Sequence, residues 1–398
     1  MEGIIENARV LFVAIVFVSL ALDVKARRIP AAPPCDFPAI YNFGDSNSDT
    51  GGISAAFWPI PPPYGVSYFH RPAGRNSDGR LIIDFIAEHL GLPYLSSYLD
   101  SIGTNFRHGA NFATGGSTIR MQNESIFENG ISPFSLDIQT MQFDQFKART
   151  SELYHQSELK LMQDNIFLDP SSARKLPRPK EFSRALYTFD IGQNDIAAGF
   201  RKLTMPQLRA AIPDIVDKFG AAITRLYQHG ARAFWIHNTG PIGCLPAAMF
   251  YVSNPSKPGF FDKYGCIRSH NAIALEFNRQ LKARVNTLRA ELPHAALTYV
   301  DIYSAKYHLI SNTKIYGFRD PFKICCGHHK NNIHVWCGQR VVINGSEIVG
   351  AACGSPAACI SWDGVHYSQA ANHWIANRIA NGSFSDPPMP IAHACLKH

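Results

Sequence analysis

The chain has 398 residues, of which 46% are hydrophobic, 12% aromatic and 17% charged, and this balance excludes a disordered or collagen-like protein and predicts a globular one. The formal net charge is +7 at pH 7, but the basic residues are scattered apart from one short run at 174–180, which argues against nucleic-acid binding. Nine cysteines are many for a reducing compartment, and their odd number predicts that at least one thiol is unpaired or pairs with another chain.

The N-terminal segment has the features of a secretory signal peptide. An uncharged apolar run at 10–22 is too short to span a bilayer and has the length of a signal's hydrophobic region. Small or moderate residues follow at the positions that a signal peptidase reads, so we expect residues 1–26 to be removed by cleavage after Ala26. The alternative is a retained membrane anchor. No later run is apolar and long enough to cross a bilayer, so we expect no integral membrane span.

Removal of this segment takes away three acidic and two basic side chains and raises the net charge from +7 to +8. Three N-glycosylation sequons in the remaining chain fit passage through a secretory route. They begin at Asn123, Asn344 and Asn381. The expected location of the mature protein is therefore outside the cell.

Strand and helix patterns then alternate along the chain. Short apolar runs rich in β-branched and aromatic residues predict buried strands, and apolar residues spaced by three or four predict helices. The predicted elements are strand 39–43, helix 81–90, a partly helical stretch 141–159, strand 185–191, helix 208–226 stopped by Gly230, strand 233–237, helix 273–292, strand 297–302 and helix 369–380 capped by Ser368. This order predicts a mainly parallel sheet with helices on both faces, and functional residues on loops at the carboxyl ends of its strands.

Two stretches interrupt the alternation and are predicted to be insertions. The first, 121–180, is polar and partly helical, and the second, 317–360, contains five of the nine cysteines. No internal repeat, low-complexity linker or shift in composition marks a domain boundary. We therefore expect residues 27–398 to form a single domain.

A serine and a histidine at opposite ends of the chain are candidates for a nucleophile and its base. Ser46 directly follows the first strand in a Gly-rich turn, where the alternative role is to close a turn or cap a helix. A serine hydroxyl needs a base within hydrogen-bond reach, and the imidazole of His366 suits this role because it titrates near neutrality. Asp363, three residues earlier, can orient that ring. The alternatives are a turn-forming aspartate and an exposed loop histidine.

Acyl transfer also requires hydrogen-bond donors for the oxyanion, each worth about 2.7–4 kcal/mol when it is removed. Two Gly-containing loops can supply them. In the loop at 111–117, glycine lets the backbone approach a ligand closely, and in the loop at 192–195, which follows the second strand, a side-chain amide can point into the site. Taken separately, each is an ordinary loop.

Together and in this order, the segments GDSN, NFATGG, GQND and DGVHYS resemble the four sequence blocks of the GDSL (SGNH-hydrolase) superfamily of lipases and esterases. The resemblance extends over about 36–390. It includes PPYG at 62–65, SDGR at 77–80 and NTGPIGC at 238–244, which look like the plant secreted branch and especially its early-nodulin-like esterases. The family implies an α/β fold, a flavodoxin-like three-layer α/β/α sandwich with a mainly parallel sheet.

The resemblance also implies a role for each matching residue. Ser46 is expected to be the nucleophile, His366 the general base and then acid, and Asp363 its orienting partner. The amides of Ser46 and Gly116 and the side chain of Asn194 are expected to form the oxyanion hole. Spacing favours Gly116 over the neighbouring Gly115. Asn47 stands where the family's four-letter name has leucine, which leaves the serine unchanged.

Other enzyme classes find less support in the sequence. The absence of G-x-S-x-G argues against an ordinary α/β-hydrolase, and the absence of H-E-x-x-H and of a P-loop argues against a metalloprotease and a nucleotide-binding enzyme. A zinc site is an alternative for a dense cluster, but in a secreted protein these cysteines are expected to form disulfides with Cys353 and Cys359 instead. The cluster consists of Cys325, Cys326, His328, His329, His334 and Cys337.

We accordingly expect no metal and no cofactor. Cys244 and Cys266 bracket a proline-containing loop and are predicted to form a disulfide. Four aromatic residues that follow the nucleophile loop are expected either to line a substrate pocket or to pack beneath the loop. They are Phe57, Trp58, Tyr64 and Tyr68.

The leading functional hypothesis is a secreted carboxylic-ester hydrolase that works through an acyl-enzyme on an acyl or acetyl ester of a lipid, glycan or specialised metabolite. An acyltransferase would use the same residues with another alcohol in place of water. A third hypothesis is a non-catalytic glycoprotein that binds anionic wall polysaccharide through its positive charge. A glycosidase would need two carboxylates at a defined separation.

Overall fold

The computed structural model describes residues 33–122, 130–164, 174–251, 258–330 and 333–397. The predicted signal peptide with its cleavage site after Ala26, and the sequon at Asn123, lie outside the described residues. Cys35–His398 form one compact unit. None of the helices in the described part of the chain is long and apolar enough to cross a membrane.

A six-stranded sheet lies at the centre of the fold. Its strands are β1 Ile40–Gly44, β2 Gly109–Asn111, β3 Leu186–Asp190, β4 Ala233–His237, β5 Ala296–Val300 and β10 Ser385–Asp386. They lie in the order β10-β5-β4-β3-β1-β2, and all neighbours are parallel except β10, which runs antiparallel to β5 at the edge. The parallel strands are buried throughout, as expected for a parallel sheet that is covered on both faces.

Two layers of helices cover the sheet. The α-helices are α1 Gly52–Ala56, α2 Ile82–His89, α3 Leu136–Asp164, α4 Gln193–Lys202, α5 Met205–Gln228, α6 Arg268–Glu291, α7 Ile302–Ser311 and α8 Gln369–Ala380. The core on one face receives side chains from α3, α5 and α6, and the core on the other face from α2, α7 and α8. Side chains alternate between these cores along each strand, so that Phe234 and Ile236 of β4 face one layer and Trp235 the other.

The predicted three-layer α/β/α fold with a mainly parallel sheet is therefore confirmed. Each predicted strand and helix is present with boundaries that shift by a few residues, and helix 369–380 begins and ends as predicted, with the Ser368 side chain accepting from Ala371 N. Gly230 has φ +99° and follows the end of α5, as expected for a glycine that stops a helix.

The prediction of a strand over 297–302 was wrong at its end. The strand β5 stops at Val300, and Ile302 is the first residue of α7. The reason is Asp301, whose carboxylate accepts a hydrogen bond from Ser304 N at 3.0 Å and so caps a new helix within the apolar run. Among the elements given above, α1, β2, α4, α7 and β10 were also not predicted from the sequence.

The 317–360 stretch contains two small hairpins outside the main sheet. The first pairs β6 Gly327–Lys330 with β7 Ile333–Trp336, and the second pairs β8 Arg340–Ile343 with β9 Ser346–Val349. Two disulfides hold this region, Cys325–Cys353 and Cys326–Cys337. Their sulfurs pack in a third core cluster with Tyr64 and Trp362.

Eight of the nine cysteines form four disulfides. The predicted Cys244–Cys266 bridge is confirmed, and Cys35–Cys395 joins residues at the two ends of the compact unit. The expectation that Cys359 is disulfide-bonded was wrong. Its buried thiol lies 3.7 Å from the sulfur of Cys353, which is already bonded to Cys325. The predicted odd thiol is therefore Cys359.

Thiol titration of the denatured, unreduced protein checks this connectivity. We expect one reactive thiol per chain in the wild type and none in Cys359→Ser, because every other cysteine is in a disulfide. As a control, Cys395→Ser frees Cys35 and is expected to give two thiols. A wild-type count other than one, or a thiol that survives in Cys359→Ser, would contradict the assignment.

Candidate active site

A rigid turn at the end of β1 positions Ser46. Asp45 N donates to the carbonyl of Asp190 at the end of β3, at 3.1 Å, and the Asp45 carboxylate accepts from the backbone and side-chain nitrogens of Asn47 at 2.9 and 2.8 Å. A Cβ at Gly44 would lie 2.3 Å from Ser48 Oγ, so only glycine fits there. These contacts fix the turn and leave Ser46 partly exposed at its tip.

The loop between Cys359 and α8 holds Asp363 and His366 in a fixed relation. One carboxylate oxygen of Asp363 accepts from the amides of Val365 and His366 at 3.0 and 2.8 Å. Trp362 N donates to the carbonyl of His366 at 2.8 Å and closes the loop. Three residues of spacing are therefore enough to fold the carboxylate back onto the imidazole, as the sequence predicts.

The structure brings Ser46, His366 and Asp363 together in one hydrogen-bonded chain. His366 Nε2 lies 2.8 Å from Ser46 Oγ, and His366 Nδ1 lies 2.7 Å from Asp363 Oδ2. The Asp363 carboxylate is buried. This is the arrangement in which an imidazole can take a proton from a hydroxyl while a carboxylate fixes its tautomer.

The electrostatics of the pair support that transfer. Burial by itself lowers the pKa of His366, but the charge and hydrogen bond of Asp363, with a smaller effect of Asp45, raise it above the ordinary imidazole value. Burial raises the pKa of Asp363, but the nearby His366 charge and hydrogen bonds outweigh it, so this pKa is lowered. Asp363 thus stays ionised and stabilises the imidazolium that forms when Ser46 gives up its proton.

A distant residue completes the environment of Asp363. Tyr64 OH donates to Asp363 Oδ2 at 2.9 Å across 299 positions of sequence. Its ring is buried and meets Trp362 edge to face, with centroids 6.1 Å apart. Of the four aromatic residues whose role the sequence leaves open, Tyr64 thus packs beneath the site and also holds the carboxylate. Trp58 and Tyr68, by contrast, are 54% and 38% exposed.

The two candidate oxyanion loops are joined to each other. Asn194, at the start of α4, donates through its side-chain amide to the carbonyl of Ser117 at 2.9 Å. Gly116 has φ +79°, and a Cβ there would lie 2.3 Å from the carbonyl oxygen of Gly130, so this position requires glycine. The loop geometry therefore depends on the residue types predicted at both positions.

The backbone hydrogen bonds distinguish Gly116 from Gly115. Gly115 N donates to Asp49 Oδ2 at 2.7 Å, which occupies its hydrogen. The amides of Gly116 and Ser46 donate to no acceptor among the residues that the structure describes. An oxyanion hole needs free donors of this kind, so the pattern supports the choice of Gly116.

A cluster of buried ionisable groups beneath Ser46 was not predicted from the sequence. Burial, reinforced by the charge of Asp190, raises the pKa of Asp45 to about 7. His237 Nδ1 lies 3.3 Å from Asp190 Oδ2. Burial lowers the pKa of Lys306, and the negative charges of Asp190 and Asp45 act in the opposite direction. These residues lie on β3, β4, α7 and the nucleophile turn, so only the fold brings them together.

The remaining predicted sites lie at the surface. Asn344 is exposed in the turn between β8 and β9, with φ +52°. Asn381 is exposed just after α8, where its side chain accepts from Ser383 N.

The cysteines of the zinc alternative, Cys325, Cys326 and Cys337, are in disulfides and are not available as thiolate ligands.

Comparison with known proteins identifies the class. The family model described as GDSL-like lipase/acylhydrolase matches residues 40–379, and the chain therefore belongs to this family. It is a serine hydrolase of carboxylic esters.

Relatives of nearly equal length are found in plants. A GDSL esterase/lipase of Arabidopsis thaliana is 56% identical over 399 residues, covering 100% of each chain. GDSL esterase/lipase ENOD8 of Medicago truncatula is 48% identical, covering 92% of each. A protein named alpha-L-fucosidase 3 of Arabidopsis thaliana is also 48% identical, covering 88% of this chain and 92% of its own.

The raised pKa of His366 predicts the pH dependence of ester hydrolysis. The base must be neutral, so kcat/KM is expected to rise with pH through an apparent pKa above the ordinary imidazole value of about 6.5. Asp363→Asn removes the charge that raises this pKa and is expected to move the rise to lower pH. It is also expected to lower kcat about 10⁴-fold, because the imidazole tautomer is no longer fixed.

Measurement of kcat/KM for a nitrophenyl ester from pH 5 to 9 checks this expectation. Asp100→Asn, in a surface loop outside the site, is the control and is expected to follow the wild type. An unchanged profile and rate in Asp363→Asn would show that the carboxylate does not act on His366.

Proposed function

We propose that the protein is a secreted plant ester hydrolase in which Ser46 forms an acyl-enzyme. The observation that carries this proposal is the pair of hydrogen bonds from Ser46 Oγ to His366 Nε2, 2.8 Å, and from His366 Nδ1 to Asp363 Oδ2, 2.7 Å. They give the hydroxyl a base at contact distance and the base an orienting carboxylate.

The chemistry follows from these contacts in two steps. Ser46 Oγ attacks the ester carbonyl as its proton passes to His366 Nε2, and the negative oxygen of the tetrahedral intermediate accepts from the amides of Ser46 and Gly116 and from the Asn194 side chain. His366 then returns the proton to the departing alcohol. Water, deprotonated by the same imidazole, releases the acid and regenerates Ser46.

An acyltransferase would share the first step and differ only in the second acceptor. The product mixture decides between them, since a transferase forms a new ester when a second alcohol is present. The positive charge of the chain supports a further proposal, that the enzyme associates with anionic wall polysaccharide. Retention on a pectin matrix that weakens with added salt would support it.

A glycosidase is the second candidate, because one relative carries the name alpha-L-fucosidase 3. Glycoside hydrolysis generally uses two carboxylates that reach the sugar from opposite sides. Asp363 is buried and hydrogen-bonded to His366 and Tyr64, and Asp45 is buried beneath the nucleophile turn. Neither carboxylate is presented to a sugar ring, so the site favours ester chemistry.

Similarity to ENOD8 and to this relative is equal at 48%, and membership of the early-nodulin-like branch stays a prediction.

Substitution of the nucleophile tests the ester-hydrolase proposal. Ser46→Ala removes the attacking oxygen and is expected to lower kcat for nitrophenyl acetate by about 10³–10⁶-fold. Ser101→Ala, at an exposed loop position, is the matched control and is expected to keep full activity. Nitrophenyl α-L-fucoside is assayed in parallel. Ester hydrolysis that survives in Ser46→Ala, or fucoside hydrolysis faster than ester hydrolysis, would overturn the proposal.

The secreted location also stays a proposal, supported by four disulfides and by the predicted signal peptide. We expect the protein collected from the medium of plant cells to begin at Arg27 and to lose mass on enzymatic removal of N-glycans. A chain without residues 1–26 is expected to stay inside the cell. N-terminal sequencing of the secreted protein checks the cut, and retention of the full-length chain in the cell would contradict it.

A further inference from the structure

The hairpin formed by β6 and β7 carries two imidazoles on one face. His329 and His334 are directly opposite each other in its register, and their Nδ1 atoms lie 3.2 Å apart. His328 pairs with Val335, and because side chains alternate along a strand, it lies on the other face. The esterase site described above uses none of these histidines.

The separation of the two nitrogens suits one metal ion. Imidazole nitrogens bind a divalent transition metal at about 2.0–2.1 Å, so two of them 3.2 Å apart subtend about 100–105° at a shared ion. That angle falls between the right angle of square-planar or octahedral sites and the tetrahedral angle. We propose that His329 and His334 bind a divalent transition-metal ion through their Nδ1 atoms, with Cu²⁺ preferred.

The surrounding side chains hold the two rings in place before an ion arrives. The Phe250 ring packs against both imidazoles, with centroids 4.5 Å from His329 and 4.3 Å from His334. Trp336 meets His329 edge to face at 5.3 Å, and the Cys326–Cys337 disulfide closes the base of the hairpin. A site whose ligands are already ordered loses little conformational entropy when it binds.

The access of the rings also fits a metal ligand. The Nε2 atom of His329 is buried against the backbone at Gly327, which leaves Nδ1 as the nitrogen that an ion can reach. His334 is exposed and opens the pair to solvent. The cysteines at the base of the hairpin contribute nothing, because they are in a disulfide.

Titration of the purified, disulfide-bonded protein with CuCl₂ tests the proposal. Isothermal calorimetry is expected to show saturable binding that His329→Ala and His334→Ala each weaken at least about tenfold, since each removes one of two ligands. His328→Ala, on the opposite face, is the matched control and is expected to bind within about twofold of the wild type. Affinity is expected to follow Cu²⁺ above Ni²⁺ above Co²⁺.

Trp336 offers a second measurement that reports the location of the ion. Cu²⁺ bound beside His329 is expected to quench the fluorescence of Trp336, and Trp336→Phe is expected to lose this quenching. Melting temperature and ester hydrolysis show whether each variant is folded. No saturable binding at millimolar Cu²⁺, or binding that neither His329→Ala nor His334→Ala weakens in a folded protein, would overturn the proposal.

Discussion

One backbone hydrogen bond ties the site to the sheet. Asp45 N donates to the carbonyl of Asp190 at 3.1 Å, which extends the pairing of β1 and β3 one step beyond the end of β1. Ser46 follows the first of these strands and Asn194 the second. Because parallel strands end at the same edge, this register brings a hydroxyl and a side-chain amide to one place, although 148 positions separate them in the chain. The loop that carries His366 therefore has to pack only against this one edge of the sheet to complete the site.

The sequence predicts what depends on local pattern. The strands and the long helices have clear apolar periods, and Asp363 meets His366 within a single loop. β2 was missed because its sequence, GAN, has no apolar run, and α7 because the apolar run of β5 continues into it. The contact from Tyr64 to Asp363 and the Cys35–Cys395 disulfide join residues that are distant in sequence. Such contacts leave no local signal, because they depend on how whole elements pack.

The ionisable groups beneath Ser46 show that the turn is built at an electrostatic cost. Asp45 uses one oxygen to hold Asn47, while its other oxygen has no hydrogen-bond partner among the described residues. An ionised carboxylate in that position is unfavourable unless countercharges are near. Burial therefore raises the pKa of Asp45. The buried side chain of Lys306 is one such countercharge. The turn therefore gains rigidity at an electrostatic cost, which the surrounding residues partly offset.

The Cys35–Cys395 disulfide has a consequence for how the molecule responds to proteolysis. It spans 360 positions and closes the compact unit into a covalent ring. A protease that cuts once in any surface loop inside this ring opens it without producing two separate pieces. The nicked polypeptide remains a single molecule, its halves stay at high effective concentration, and the packed layers can hold together after a first cut.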